Sequence, residues 1–354
     1  MNTKTSKTNA GNFFEDFRIG QEIVHATPRT VTSGDVALYT ALYGSRFAVQ
    51  SSDAFAKAIG LPGAPVDDLL VFHIVFGKTV PDISLNAVAN LGYAECQFIK
   101  PVMVGDTLSS RSEVIGLKEN SNGETGVVHV RTVGRNQHGE IVLTYVRWVM
   151  VRKRDRNATA PEAVTPKLAG FVKPDALGVC LPKIDVAAYD FAVSGSPYRF
   201  GDYTVGERID HSDGITVEEA EHQMATRLYQ NTAKVHFDGF AARDTRFGKR
   251  LIYGGVVISL ARALSFNGLG NAFKIAAINS GRHVAPLFAG DTVYAMSEVI
   301  DTGEVKGRKD VGALRLRTIA AKDVPSNVLM ATDGDPGAAK GVILDIDYWA
   351  LLPR

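Results

Sequence analysis

The sequence predicts an α+β protein made of two fused copies of one unit, each an antiparallel sheet wrapped around a central helix. Three observations carry this: the chain is too long for one core, its second half echoes its first, and each half runs through the same order of elements. At 354 residues the chain passes the size at which a single hydrophobic core keeps growing, so two domains of ordinary size are expected. The echo has a nearly constant spacing. FEDFRIGQEI from Phe14 matches FGDYTVGERI from Phe200, 186 residues on. PVMVGDTLSSRSEVI from Pro101 matches PLFAGDTVYAMSEVI from Pro286 with eight of fifteen positions identical, where chance would supply about one. Between these blocks Thr30-Val31 answers to Thr216-Val217, and Leu42-Tyr43 to Leu228-Tyr229.

Within each copy the order reads as a short β entry, a helix, a loop, an apolar helix and a run of strands. In the first copy SGDVALYTALYG offers Ser33 as a helix cap, and LLVFHIVFGK is apolar on nearly every face, so it must be enclosed. AECQFIKPV, GDTLSSRSEVIGLK, GVVHVRTVGRN and EIVLTYVRWVMV follow as strands, with β-branched alternation and Gly and Pro punctuation. An antiparallel sheet around one buried helix is a hot-dog fold. The expected division is an N-terminal hot-dog domain over 1–151, a linker over 152–183 and a C-terminal hot-dog domain over 184–354. The linker, charged and then Pro/Ala-rich, includes RKRDR; a solvated linker accounts for that run better than a nucleic-acid patch.

Composition excludes several roles. A formal charge of +1 gives no reason to expect nucleic acid or an anionic membrane as partner. Cys96 and Cys180 show neither CxxC nor metal spacing, which suits a reducing cytoplasm; no metal and no cofactor is expected. The N-terminal MNTKTSKTNAGN lacks the apolar run of a signal peptide, and the longest apolar stretches reach about half a membrane span. A cytoplasmic protein is the expectation.

The GDT turn leading into a strand in each half, preceded by a loop and an apolar helix, resembles the MaoC-like dehydratases, hot-dog enzymes that hydrate enoyl-CoA thioesters. The family loop, YxxxxGDxNPxH, sets an Asp and a His five residues apart to hold the reacting water. LYQNTAKVHFD matches it partly, placing His236 on the family histidine and Asn231 on the family aspartate. IYGGVVISLARAL puts Gly254 and Gly255 where the family makes its oxyanion contact. The first copy has Ser45 and Gln50 at the two loop positions and Asp67-Asp68 at the helix start. The carboxylates there suit helix capping and would repel an oxyanion, so one site per chain follows, with the first half as a wall of the substrate tunnel. The opening NFFEDFRIGQEIVHATPRTVTSGDVALYTALYGSRFAVQSSDAFAKAIG is similar to that of the two-domain mesaconyl-CoA (2-methylfumaryl-CoA) hydratases, or β-methylmalyl-CoA dehydratases. That likeness implies reversible hydration of a branched enoyl-CoA in the ethylmalonyl-CoA route.

Hydration needs a base for the attacking water and donors for the charge that develops on the thioester oxygen. The resemblance assigns the first task to His236 and the second to backbone N–H groups near Gly254 and Gly255 at a helix start. Asn231 orients but takes no proton, and Asp238 or Glu221 could restore a carboxylate, against the plainer reading as solvated surface. His25, His73, His129, His138, His211, His222 and His283 are read as structural. Lys249 and Arg250, in RDTRFGKR, are candidates for CoA phosphates or a substrate carboxylate, with a solvated loop face equally consistent. Itaconyl-CoA and other enoyl-CoAs stay open as substrates. So do a hot-dog thioesterase, which needs a water-activating carboxylate, and a non-catalytic acyl-CoA binding protein. A dimer of such chains is expected.

Overall fold

In the computed structural model, which describes residues 7–354, ten strands form one antiparallel sheet in the order β1-β3-β4-β5-β2-β7-β10-β9-β8-β6. The first half supplies β1 (Glu22–Thr30), β2 (Ala87–Phe98), β3 (Thr107–Glu119), β4 (Thr125–Arg135) and β5 (Ile141–Arg152). The second supplies β6 (Arg208–Thr216), β7 (Lys274–His283), β8 (Thr292–Glu304), β9 (Val311–Lys322) and β10 (Val342–Pro353). Each half repeats the same strand order, and β2 pairs with β7 at the join, from Tyr93↔Gly281 to Gln97↔Ala277. The two sheets are thus continuous. The polar N-terminal run begins in residues 1–6, outside the described residues, and no described helix is long and apolar enough to cross a membrane.

Five helices matter for the site. In the first copy α1 (Ser33–Tyr43) precedes the central helix α2 (Asp68–Thr79); in the second, α3 (Glu219–Leu228) and the short α4 (Lys234–Phe237) precede the central helix α5 (Gly254–Leu264). Every residue of α2 from Leu69 to Thr79 is buried, as a helix apolar on all faces requires, and α5 is buried from Gly255 on. The two share one core. The cap of α1 is Thr32 rather than Ser33: Thr32 Oγ1 accepts from Asp35 N–H, and the Asp35 carboxylate accepts from Thr32 N–H at 2.8 Å. Such a reciprocal box needs a carboxylate three residues on, which Asp35 gives Thr32 but Val36 cannot give Ser33.

An approximate two-fold axis relates the copies, and residues on it touch their own counterparts. Tyr229 OH donates to Tyr43 OH at 2.7 Å, and the His73 ring meets Ser259 Oγ at 2.9 Å; in both pairs the partners are 186 residues apart. Gly77 gives α2 its close approach to the second copy, since a Cβ there would lie 1.8 Å from the Tyr229 carbonyl oxygen. His25 and His211 fill equivalent structural positions. Each joins a strand serine, Ser112 or Ser297, at 2.8 Å, and that serine joins Thr132 or Thr318.

The stretch after β5 is irregular but well anchored. Lys153, buried, pairs with Glu119; Arg154 pairs with Asp16; Val164 bridges Leu117. Val172 then accepts from the Trp349 indole N–H, and Leu177 and Cys180 bury against Trp349 and Leu351, on the sheet face opposite the central helices.

Asp68 at the start of α2 holds the start of β7: its carboxylate accepts from Lys274 Nζ at 2.7 Å and from Ile275 N–H at 3.1 Å, with both side chains largely buried. Removing one partner of a buried pair strands the other's charge. Lys274→Met is expected to lower unfolding stability by about 3–5 kcal/mol in urea denaturation, and Asp68→Leu/Lys274→Met to recover most of that loss.

Candidate active site

The site is built on the loop between α3 and α5. Gln230 turns the chain with φ 54, and Asn231, buried, accepts the Ala233 N–H on its side-chain oxygen at 3.2 Å, so its amide shapes the loop. Residues Lys234 to Phe237, after the N-cap Ala233, then make the single turn α4, which Val235 ties back to Leu251 through a backbone hydrogen bond. This places the half-buried His236 over the approach to α5. Its Nδ1–H donates to the Leu251 carbonyl at 2.8 Å, and its ring centre lies 5.5 Å from that of Tyr253. The Leu251 bond fixes the tautomer, leaving Nε2 as the lone-pair nitrogen, with no partner among the described residues.

At the head of α5 the backbone donors are sorted. Tyr253 N–H is taken by Nε2 of His222 at 3.0 Å, and Val256 N–H by the Tyr253 carbonyl. The N–H groups of Gly254 and Gly255 have no acceptor among the described residues, so two free donors stand at the positive end of an 11-residue helix. Glycine is required at both positions by close packing. A Cβ on Gly254 would lie 2.4 Å from the His283 ring, and one on Gly255 would lie 2.3 Å from Tyr253 and 2.6 Å from His73.

Four imidazoles therefore converge on this turn. Burial pulls all of them down from the usual value near 6.5: His236 and His283 to about 4, His222 and His73 to about 3. His236 adds to the depression of both His222 and His283, because a charge on one ring opposes a charge on the next. The protein packs around His236 closely enough for desolvation to outweigh the Leu251 hydrogen bond. Among the described residues no group of three or more His, Cys, Asp or Glu is placed to hold a metal ion.

The other sequence candidates lie as follows. Asp238 caps the turn Gly239–Ala242 by accepting from Phe240 and Ala241 N–H, and Glu221 accepts from Glu218 N–H at the start of α3. Both carboxylates serve helix ends. Arg250 is paired with Glu219, and exposed Lys249 lies 4.3 Å over the Phe288 ring. In the first copy Gln50 donates to the Phe273 carbonyl at 2.7 Å, and Asp67 caps α2 through Leu69 N–H. His73, His222 and His283 were read from the sequence as structural, and the structure gathers them around the glycine turn. A signal existed for His222, whose counterpart in the first copy, 186 residues earlier, is Val36.

The family profile of the mesaconyl-CoA hydratases matches residues 2–332. The β-methylmalyl-CoA dehydratase of Chloroflexus aurantiacus is 61% identical over 99% of each chain. The mesaconyl-CoA hydratase of Cereibacter sphaeroides is 61% identical over 98% of this chain and 100% of its own. A solved structure from Chloroflexus aurantiacus, of a protein assigned to the MaoC domain dehydratases, superposes with a TM-score of 0.93 at 60% identity over 99% of each chain.

Rings that resist protonation in the fold but not in the unfolded chain weaken the fold in acid. The unfolded chain takes protons as pH drops below about 6.5, whereas the folded rings take them only near 3 to 4. The melting temperature, followed by circular dichroism, is expected to fall between pH 6.5 and 4. His222→Gln, which keeps an acceptor for Tyr253 N–H but cannot titrate, should flatten part of that slope.

Proposed function

The chain belongs to the mesaconyl-CoA hydratase family, and from that premise we propose that it adds water reversibly to mesaconyl-CoA to give β-methylmalyl-CoA, using His236 as base and the amides of Gly254 and Gly255 as oxyanion donors. The observation that carries this assignment is the pairing of a neutral imidazole, its tautomer fixed by Leu251, with two unclaimed N–H groups at the head of α5.

In the hydration direction Nε2 of His236 takes a proton from water as the water oxygen bonds to the β-carbon. The displaced π electrons move onto the thioester oxygen, where the Gly254 and Gly255 N–H groups donate to the enolate. The imidazolium then returns its proton to the α-carbon, and dehydration reverses these steps. A ring held near pKa 4 is unprotonated at neutral pH and, once charged, is a strong acid toward the α-carbon. Asn231, its oxygen engaged by Ala233 N–H, has its NH2 left to orient water or substrate. Exposed Lys249 is suited to the phosphates of CoA, whereas Arg250 would first have to leave Glu219. The reaction is placed in the cytoplasm, a reading supported by the free thiols Cys96 and Cys180.

A thioesterase needs a carboxylate aimed at water, and the two sequence candidates, Asp238 and Glu221, are committed to helix ends. The test is spectroscopic. Wild-type protein should remove the conjugated absorbance of mesaconyl-CoA without releasing thiol, and His236→Ala should lose about 10²–10⁴-fold in kcat with ligand affinity kept. Full activity in that variant, or stoichiometric thiol release by the wild type, would reject the assignment.

A further inference from the structure

Arg147, on β5, is fully buried in the first copy and has no anionic partner. Its guanidinium lies 4.2 Å over the Phe76 ring of α2, and Nη2 donates to Thr79 Oγ1 at 2.8 Å and Ser84 Oγ at 3.3 Å. Nε and Nη1 have no hydrogen-bond partner, and no carboxylate pairs with the group among the described residues. A buried guanidinium with three unspent N–H groups is costly unless an anion meets it. The other buried arginine of this core, Arg262 of α5, shows the usual solution: it donates to the Ala272 carbonyl and Ser265, and Asp67 and Asp68 lie within electrostatic reach.

The surroundings of Arg147 belong to the candidate active site. Tyr93, Tyr145 and Tyr253 lie around its charge, and the hydroxyls of Tyr145 and Tyr253 are themselves buried without partners. The Phe76 ring is 5.7 Å from Tyr253, which precedes Gly254 and lies 5.5 Å from His236. Tyr93 OH is 3.5 Å from His283 Nε2, and the His283 ring abuts Gly254. A buried cation and two unsatisfied hydroxyls thus connect to the base and the free amides through the packed rings of Phe76 and Tyr253.

We propose that Arg147, from the copy that lacks the loop histidine, binds the free carboxylate of a dicarboxylic enoyl-CoA and so makes the site select such substrates. This rests on the hydratase reading above and deepens it. In mesaconyl-CoA the free carboxylate is carried by the β-carbon, the carbon that water attacks. Unpaired, its charge opposes both the incoming oxygen and the enolate. The unspent Nε–H and Nη1–H point to opposite sides of the guanidinium, so a carboxylate oxygen meets one of them in a single charge-assisted hydrogen bond, with the unpartnered Tyr145 and Tyr253 hydroxyls available to the carboxylate's other oxygen. Pairing neutralises the charge and fixes the double bond relative to His236.

The test compares mesaconyl-CoA with 2-methylcrotonyl-CoA, in which a methyl group replaces the carboxylate. Arg147→Met should lower kcat/KM for mesaconyl-CoA by about 100-fold or more and leave 2-methylcrotonyl-CoA within threefold; Arg147→Lys should keep part of the preference. An equal fall on both substrates makes Arg147 structural and overturns the proposal. Should Arg147→Met fail to fold, binding of unreactive thioesters to the wild-type protein decides. Succinyl-CoA should bind at least about tenfold tighter than butyryl-CoA, and equal affinity overturns the proposal. Wild-type hydration of both enoyl-CoAs without preference rejects Arg147 alone, whereas hydration of neither rejects the hydratase reading itself.

Discussion

Two pairs of equivalent residues meet on one axis, Tyr43 with Tyr229 and His73 with Ser259, and the rest of the site depends on that register. Polar groups buried in an apolar core hold it, because a slip that breaks these hydrogen bonds would leave them unsatisfied out of reach of water. Fixing α2 against α5 in this way brings His73 beside Gly255 and Phe76 beside Tyr253. The candidate active site is therefore assembled from both copies, although its loop lies in one.

The two copies use the same positions for different purposes. Where the second has His236, the first has Gln50, which binds the Phe273 carbonyl; where the second has the free amides of Gly254 and Gly255, the first has Asp68 and Leu69, with Asp67 capping the helix through Leu69 N–H. Gln50 and Asp68 together grip Phe273, Lys274 and Ile275 at the start of β7. At the other end of that strand His283 packs on Gly254. The positions that could have held a second reaction brace the strand that shapes the first, and that strand also carries the join between the sheets.

The fold was largely legible in the sequence because duplication is visible as a constant offset, and because an all-apolar helix such as LLVFHIVFGK can only be enclosed. The candidate site was legible in part. His236 and the glycine pair stand in a recognisable loop and turn, whereas His73, His222 and His283 are isolated in sequence and meet only through the two-fold packing of helices and the sheet join. Thr32 was missed as the cap because the choice between adjacent hydroxyls is made by Asp35, three residues on. Arg147 carried a signal that went unread. In EIVLTYVRWVMV it falls in phase with Tyr145, Val149 and Val151, the face turned to the core, and period-two alternation assigns a cation on that face to the interior.

In the proposed reaction, charge and proton traffic are divided between the copies. The imidazoles around the glycine turn are kept neutral by burial and by one another, so they add no fixed charge where a thioester enolate must form. Fixed positive character comes instead from the helix end that presents Gly254 and Gly255, and from the guanidinium of Arg147. A neutral ring exchanges a proton with water at least cost when a separate cation already compensates the anionic substrate. A base forced to serve both purposes would need its charge before it could bind and its lone pair before it could react. Splitting the tasks across a duplicated fold would remove that conflict, and it would give the copy without the loop histidine a physical reason to hold a buried arginine that no described residue of its own half neutralises.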